Sequence, residues 1–421
     1  MDKLFNLFNI LKNVKKGRKN KLQPLDTIGQ QLVFNKSTPL TLGIECEFAL
    51  VNAHTYEPAN IADLLVTALG HDNVHKEIFQ HMIEITTGVC LSAHQVESEL
   101  YLLKEKIDKL LPSFDAEMIG SGTLPKLEID KCSRTKSERY QELKERRQII
   151  FDRFATHGMH VHIGMKDAQS CIRYHNFYMH LLPCLLALSA NSPFENGVDT
   201  GFASIRPTIT ESMPIAGVPY QFKTWQEYKD LCRSLARANS ISNIKDLWWD
   251  IRACPRYGTL EIRICDQPST LYETMAIVAF IHCLGHWFQD NEDWLDEMPR
   301  PSNWRTRDNK WRAMRHGLDA ELIVDNRGQT KPIKAIISAW LDRLAPYYKT
   351  LEYDNYLLQI KTILENGNGA CRQRLTFSRT QNLSDVYTTH ITELKNNTPL
   401  WDKNTEADTS YMAVELGRLI A

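Results

Sequence analysis

The sequence predicts an α+β or α/β fold. Three observations carry the prediction. Short segments alternate apolar and polar residues with period two, long segments place apolar residues three and four apart, and the last third reads mainly as helix. The 421 residues can bury a large core, and no break in composition demands a second independent domain.

The elements follow in chain order. Residues 13–28 form a basic, linker-like stretch. TLGIECEFALV, residues 41–51, is the first strand, with Ile44, Cys46 and Phe48 facing one way and Glu45 and Glu47 the other. MIEITTG is a shorter case, with Glu84 between Ile83 and Ile85. Over 92–111, Ala93, Val96, Leu100, Leu103, Ile107 and Leu110 make one helical stripe, and Ser92 is its N-cap. A charged helix around 135–153 follows the loop GSGTLPKL, and then the strand MHVHIG, 159–164, sets His160 and His162 on one side. An apolar helix about 172–190 is interrupted or bent near Pro183. Residues 191–222 are rich in Gly, Pro, Ser and Thr, the composition of functional loops. A helix at 224–238 leads to the strand GTLEIRICD, 258–266, with Glu261 and Arg263 on one side. Helices at 270–289, 309–320, 332–345 and 351–366 complete the pattern.

Composition narrows the function classes. With 50 basic and 51 acidic residues, no global field draws in nucleic acid, and no aromatic-interleaved basic stripe offers a local one. Ten cysteines without a CxxC pair indicate unpaired thiols in a reducing, cytoplasmic setting rather than a disulfide scaffold or thiolate zinc site. The most apolar run, 275–288, carries two histidines and is too short to span a bilayer. Leu4, Phe5, Leu7, Phe8, Ile10 and Leu11 precede a run of basic residues, so residues 4–20 have the pattern of a helix lying on a membrane. Docking on the protein body or a partner is the preferred reading of that segment.

Each polar strand face has a bland explanation by itself. An ExE strand is commonly a solvated sheet face, HxH occurs in zinc hydrolases and in packed cores, and TLEIR suits a cross-strand salt bridge. Their coincidence is informative. If the strands share a sheet, Glu45, Glu47, Glu84, His160, His162, Glu261 and Arg263 gather on one face, and so many carboxylates need cations. Oxygen donors with imidazole and no thiolate set favour Mg2+ or Mn2+, commonly in the company of nucleotide phosphates.

The series TLGIECEF, MIEITTGVC, HGMHVHIG, LLALSANSPFENGVDTGFASIRP, IKDLWWDIRACPRYGTLEIRICDQPSTL and NKWRAMRHGLD resembles the carboxylate–amine ligases of the glutamate–cysteine ligase type 2 family. The resemblance implies a glutamine-synthetase-like α+β fold, an antiparallel sheet curved into a funnel and backed by helices. It implies a catalytic domain over 38–375 between extensions at 1–37 and 376–421, use of ATP and Mg2+ or Mn2+, and a homodimer. It also implies small carboxylate and amine substrates, with glutamate activated as an acyl phosphate and joined to an amine. Carried over by motif, Glu45, Glu47, Glu84, His160 and Glu261 are metal ligands, and Glu261, Arg263, Arg206 and His162 are catalytic. Arg256, Asn309, Arg312, Arg315, Arg372 and Arg374 bind the nucleotide. A metal-dependent hydrolase built on HxH and a phosphotransferase on the same scaffold are the alternative readings.

Overall fold

The computed structural model describes residues 25–297 and 302–401; the segment 4–20 and residues 402–421 lie outside the described residues. Period-two alternation becomes a seven-stranded antiparallel sheet. Its strands are β1 (Leu42–Asn52), β2 (Val74–Lys76), β3 (Met82–Thr86), β4 (Ala116–Ile119), β5 (Gly158–Gly164), β6 (Ile251–Cys254) and β7 (Thr259–Asp266). The order across the sheet is β6-β7-β5-β1-β3-β2, and β4 pairs with the far half of β1.

One face is hydrocarbon and carries helices. Ile44, Cys46, Phe48, Val161, Ile163, Leu260 and Ile262 are buried with apolar residues of α1 (Ala93–Leu110), α2 (Ala168–Met179), α3 (Leu182–Ser189) and α4 (Leu271–Asp290). Helix α4 is apolar on nearly every side because it is central, and almost all of its residues are buried. The bend expected near Pro183 is a break between α2 and α3. Pro183 sits in the first turn of α3, where its missing N–H leaves no helical bond unmade. The charged helix ends at Arg147, where Gln148 takes a φ of 54° and a 3-10 turn follows.

Four further helices are α5 (Asn303–His316), α6 (Asp354–Asn366), α7 (Gly369–Thr380) and α8 (Leu383–Asn396). Helix α6 packs on α4, and α8 packs on β4. All ten cysteines are free thiols, and among the described residues no helix is long and apolar enough to cross a membrane.

The funnel implied by the resemblance is not formed. The sheet is open, with β6 at one edge and β2 at the other and no pairing between them. These edge strands have four and three residues, too few backbone groups to draw the two margins together into a closed wall. Loops and short helices wall the polar face instead.

Candidate active site

Antiparallel register sets the polar side chains in rows. Glu45 of β1 stands between His160 of β5 and Thr86 of β3, and Glu47 stands opposite Glu84. Glu261 of β7 stands between His162 of β5 and Arg252 of β6. The residues singled out on four separate strands therefore share one compartment. It is a cavity of about 1280 Å3 whose lining includes Glu45, Glu47, Glu84, His160, His162, Arg206, Arg256, Glu261 and Arg263.

Carboxylates and imidazoles interlock at its floor. His160 donates from Nδ1 to Glu45 Oε2 at 2.9 Å, and His162 donates from Nε2 to Glu45 Oε1 at 3.2 Å. The Nδ1 of His162 meets Thr259 Oγ1 at 2.9 Å, which fixes the ring. Arg252 donates from Nε and Nη2 to Glu261 Oε2 at 3.0 and 2.7 Å, and Arg263 contacts the other oxygen. Burial alone would raise the Glu261 carboxyl, but Arg252 and Arg263 hold it far below the usual range. Burial would likewise raise Glu45, and its hydrogen bonds to the two histidines reverse the shift. Burial and Arg263 push His160 down to about 4, whereas Glu45 outweighs burial at His162 and raises it.

Glu45, His162 and Glu261 each offer a ligand atom, all within 4.8 Å of one another. Two hard oxygens and one imidazole, mostly buried, suit a small divalent cation. Three further observations fit such a group. The Nε2 of His160 is buried without a hydrogen-bond partner. Burial and the charge of Glu77 push Glu47 up to about 8, and burial with Glu77, Glu45 and Glu47 raises Glu84 well above its ordinary value. A cation beside these acids would relieve both the desolvation and the repulsion. In this geometry His162 belongs to the candidate ligand group, while His160 bonds Glu45 and reaches within 4.0 Å of Glu47.

Arg206 enters from a short helix over the far end of the floor. Its buried guanidinium donates to the carbonyls of Arg263 and Ile264 at 3.4–3.5 Å, and its Nε is without a partner. The close approach depends on Gly158, where a Cβ would collide with that guanidinium and lie 3.0 Å from His160 Nε2. Gly158 also donates its N–H to Glu47 Oε2 at 2.5 Å. Gly158→Ala is expected to displace Arg206 and cut turnover at least about tenfold while the fold persists. Steady-state kinetics beside a circular-dichroism melt would check this, and wild-type turnover would refute it.

The remaining sequence candidates divide between the cavity and other places. Among them Arg256 lines the cavity, but Asn309, Arg312, Arg315, Arg372 and Arg374 do not. Asn309 exchanges hydrogen bonds with the backbone of Ile323 at 2.9 and 2.7 Å, and Arg312 pairs with Asp308 at 2.6 Å. Arg315 caps the carbonyl of Gly201, and Arg374 pairs with Asp199 at 2.6 Å. Arg372 is enclosed between Glu273 of α4 and Glu393 of α8. Of residues 191–222, only Arg206, Pro207 and Thr210 reach the cavity. Asn191, Ser192 and Ser204 instead donate to the buried carboxylate of Asp266 at 2.7–2.9 Å, pinning the loop to the end of β7.

Two features escaped the sequence reading. Glu77 lines the cavity beside Glu84 and accepts from the Ile78 N–H at 3.2 Å and the Tyr140 hydroxyl at 3.3 Å. Its only signal was two-residue spacing from His75 in a segment too short to declare a strand. Lys310, on α5, is buried between Glu211 and the cavity residue Asp250 at 2.6–2.7 Å. Lys310 lies within the NKWRAMRHGLD segment, but no spacing there reports partners at positions 211 and 250.

The chain is an α+β fold in which an open antiparallel sheet carries a cavity with a floor of acids and imidazoles. The chain belongs to the glutamate–cysteine ligase family 2, whose model matches residues 41–392, and it is an enzyme of the ligase class. A Bdellovibrio bacteriovorus protein provisionally named glutamate–cysteine ligase 2 is 39% identical over 333 residues, covering 79% of this chain and 88% of that protein. A Frankia alni protein provisionally named glutamate–cysteine ligase 2-1 is 33% identical over 378 residues, 88% of this chain and 99% of its own. The fold is similar to that of the Francisella tularensis glutamate–cysteine ligase solved in complex with AMP. The TM-score is 0.62 at 13% identity, covering 91% of this chain and 93% of that one.

Proposed function

We propose that this enzyme is an ATP-dependent carboxylate–amine ligase that activates the side-chain carboxylate of glutamate and joins it to an amine. The observation that carries the reading is the convergence of Glu45, His162 and Glu261, with Arg263 beside them, on the floor of one large cavity. A carboxylate does not condense with an amine at neutral pH, because oxide is a poor leaving group. In the first step the substrate carboxylate attacks the ATP γ-phosphorus, the bond to the bridging oxygen breaks, and ADP departs. In the second the amine nitrogen attacks the acyl phosphate carbon, inorganic phosphate leaves, and the nitrogen gives up its proton.

Glu45, His162 and Glu261, with Glu47, Glu84 and His160 close by, would hold Mg2+ or Mn2+, which would supply neutralising charge for the phosphate oxygens. Arg263 faces the transferring phosphoryl group, and Arg256 a phosphate further out. Arg252 fixes Glu261 in its ionised form. Arg206, with its unpartnered Nε, fits a substrate carboxylate. The protein's task is alignment and charge stabilisation more than covalent chemistry.

Incubation with ATP, Mg2+, glutamate and a panel of amines, following ADP and product mass together, tests the reading. ADP formation is expected to require both carboxylate and amine, to stop on chelation, and to resume with Mg2+ or Mn2+. ADP formed without any amine incorporated would indicate a phosphotransferase, and zinc-dependent turnover without ATP a hydrolase. Arg263→Ala is expected to lower the rate by about 10²-fold or more, the usual worth of a positioned charge partner.

A further inference from the structure

Strand register orders the cavity lining along the strands. The Glu45–His162–Glu261 group shares the rungs of Gly43 and Thr86, Thr259 lies beyond it at one end, and Glu47, Glu84 and Met82 lead to the other end. The two ends differ in chemistry. The first carries glycine backbone at 43 and 88 with Lys245, Arg256 and Tyr257, a polar and basic setting for a nucleotide. The second is walled by Ile78, Met82, Tyr140, Leu143, Phe154 and Trp248.

These six residues belong to a small hydrophobic cluster separate from the main core behind the sheet. Trp248 and Phe154 meet edge to face with centroids 5.1 Å apart, which sets the indole rigidly in the wall. The Trp248 Nε1–H is buried without an acceptor. Tyr140 donates to Glu77 at 3.3 Å, so a carboxylate stands beside this apolar wall. The cavity, at about 1280 Å3, exceeds the roughly 300–1,000 Å3 of a site for one small ligand, so it has room for a nucleotide and further substrates together.

We infer that this end is the acceptor subsite and that it takes a primary amine with a bulky apolar or aromatic body. The inference rests on the ligase reading above. Glu77 supplies negative charge for an incoming ammonium group. Half-buried Trp248 and Tyr140, backed by the nearly fully buried Phe154, Leu143 and Met82, cover the hydrocarbon. Arg206, on the same side of the floor, serves the carboxylate substrate, and Lys310 is already saturated by Glu211 and Asp250.

The test compares 2-phenylethylamine, butylamine, cysteine and ammonium as acceptors at fixed ATP, Mg2+ and glutamate, reading product mass and kcat/KM. The aromatic amine is expected to exceed ammonium and cysteine by about tenfold or more, the scale on which apolar pockets discriminate. In Trp248→Ala, and separately in Phe154→Ala, the ratio of 2-phenylethylamine to ammonium is expected to fall at least about tenfold. That ratio is taken within one preparation, so a reduced folded fraction does not alter it. Calorimetric titration with 2-phenylethylamine gives a second readout, in which binding to wild type should weaken in Trp248→Ala. Turnover with cysteine or ammonium but not with the aromatic amine, or ratios unchanged in both variants, would overturn this inference alone. Absence of ADP with every amine would overturn the ligase reading and this inference with it.

Discussion

Glu261→Gln is expected to lower amide formation by at least about 10²-fold and to weaken divalent-ion binding, in a protein that still folds. The side chain is buried at 1% exposure and is the meeting point of three functions. It offers a ligand atom beside Glu45 and His162, it holds Arg252 through two hydrogen bonds, and it contacts Arg263. Glutamine keeps the shape and one acceptor oxygen but removes the charge. Arg252 retains the carbonyls of Lys245 and Leu247 at 3.1–3.2 Å, so the fold keeps part of its hydrogen bonding. Alanine would instead leave two guanidinium groups without their buried counter-charge, mixing loss of structure with loss of activity. The measurement is kcat beside Mn2+ binding by electron paramagnetic resonance and a thermal melt. Normal turnover, or undiminished Mn2+ affinity, would remove Glu261 from the site.

Arg372→Ala is expected to act on stability, with a loss of about 3–5 kcal/mol. The guanidinium is among the largest fully buried side chains. It donates to Glu393 at 2.5 Å, Glu273 at 2.8 Å and Ser269 at 2.8 Å, joining α7 to α4 and α8. Removing it strands two carboxylates in the interior, and their desolvation makes the loss large. Burial alone would raise the Glu393 carboxyl, yet the guanidinium and His390 hold it below its usual range, so its charge depends on this pairing. A urea titration reads the effect as a shifted midpoint. The KM for ATP of the remaining folded protein separates this structural role from contact with the nucleotide. An unchanged KM is expected because Arg372 lies outside the cavity lining. A raised KM at full stability would reverse the assignment.

The two residues show what local pattern conveys. Alternation alone assigned Glu45, Glu47, Glu84, His160, His162, Glu261 and Arg263 to the polar sides of their strands, and the structure brings all seven to one cavity. The same alternation placed Cys46 on the packing side, where it is fully buried. Arg372 was carried over with the nucleotide-binding residues by a looser motif resemblance than that of Arg263. Its partners come from residues 273 and 393, and no spacing within RQR reports them.

Side-chain parity is a property of the extended backbone, repeating every two residues whatever the neighbours do, so the sequence determined which residues are chemical and which are core. Register and strand order belong to hydrogen bonds between distant segments. Tertiary structure alone decided that Glu45 faces His160 across one ladder, that His162 comes within 4.8 Å of Glu45 and Glu261 as a candidate ligand group, and that Glu77 joins the acids. It also decided that the sheet stays open, because closure needs two edges long enough to pair and the chain supplies only short ones.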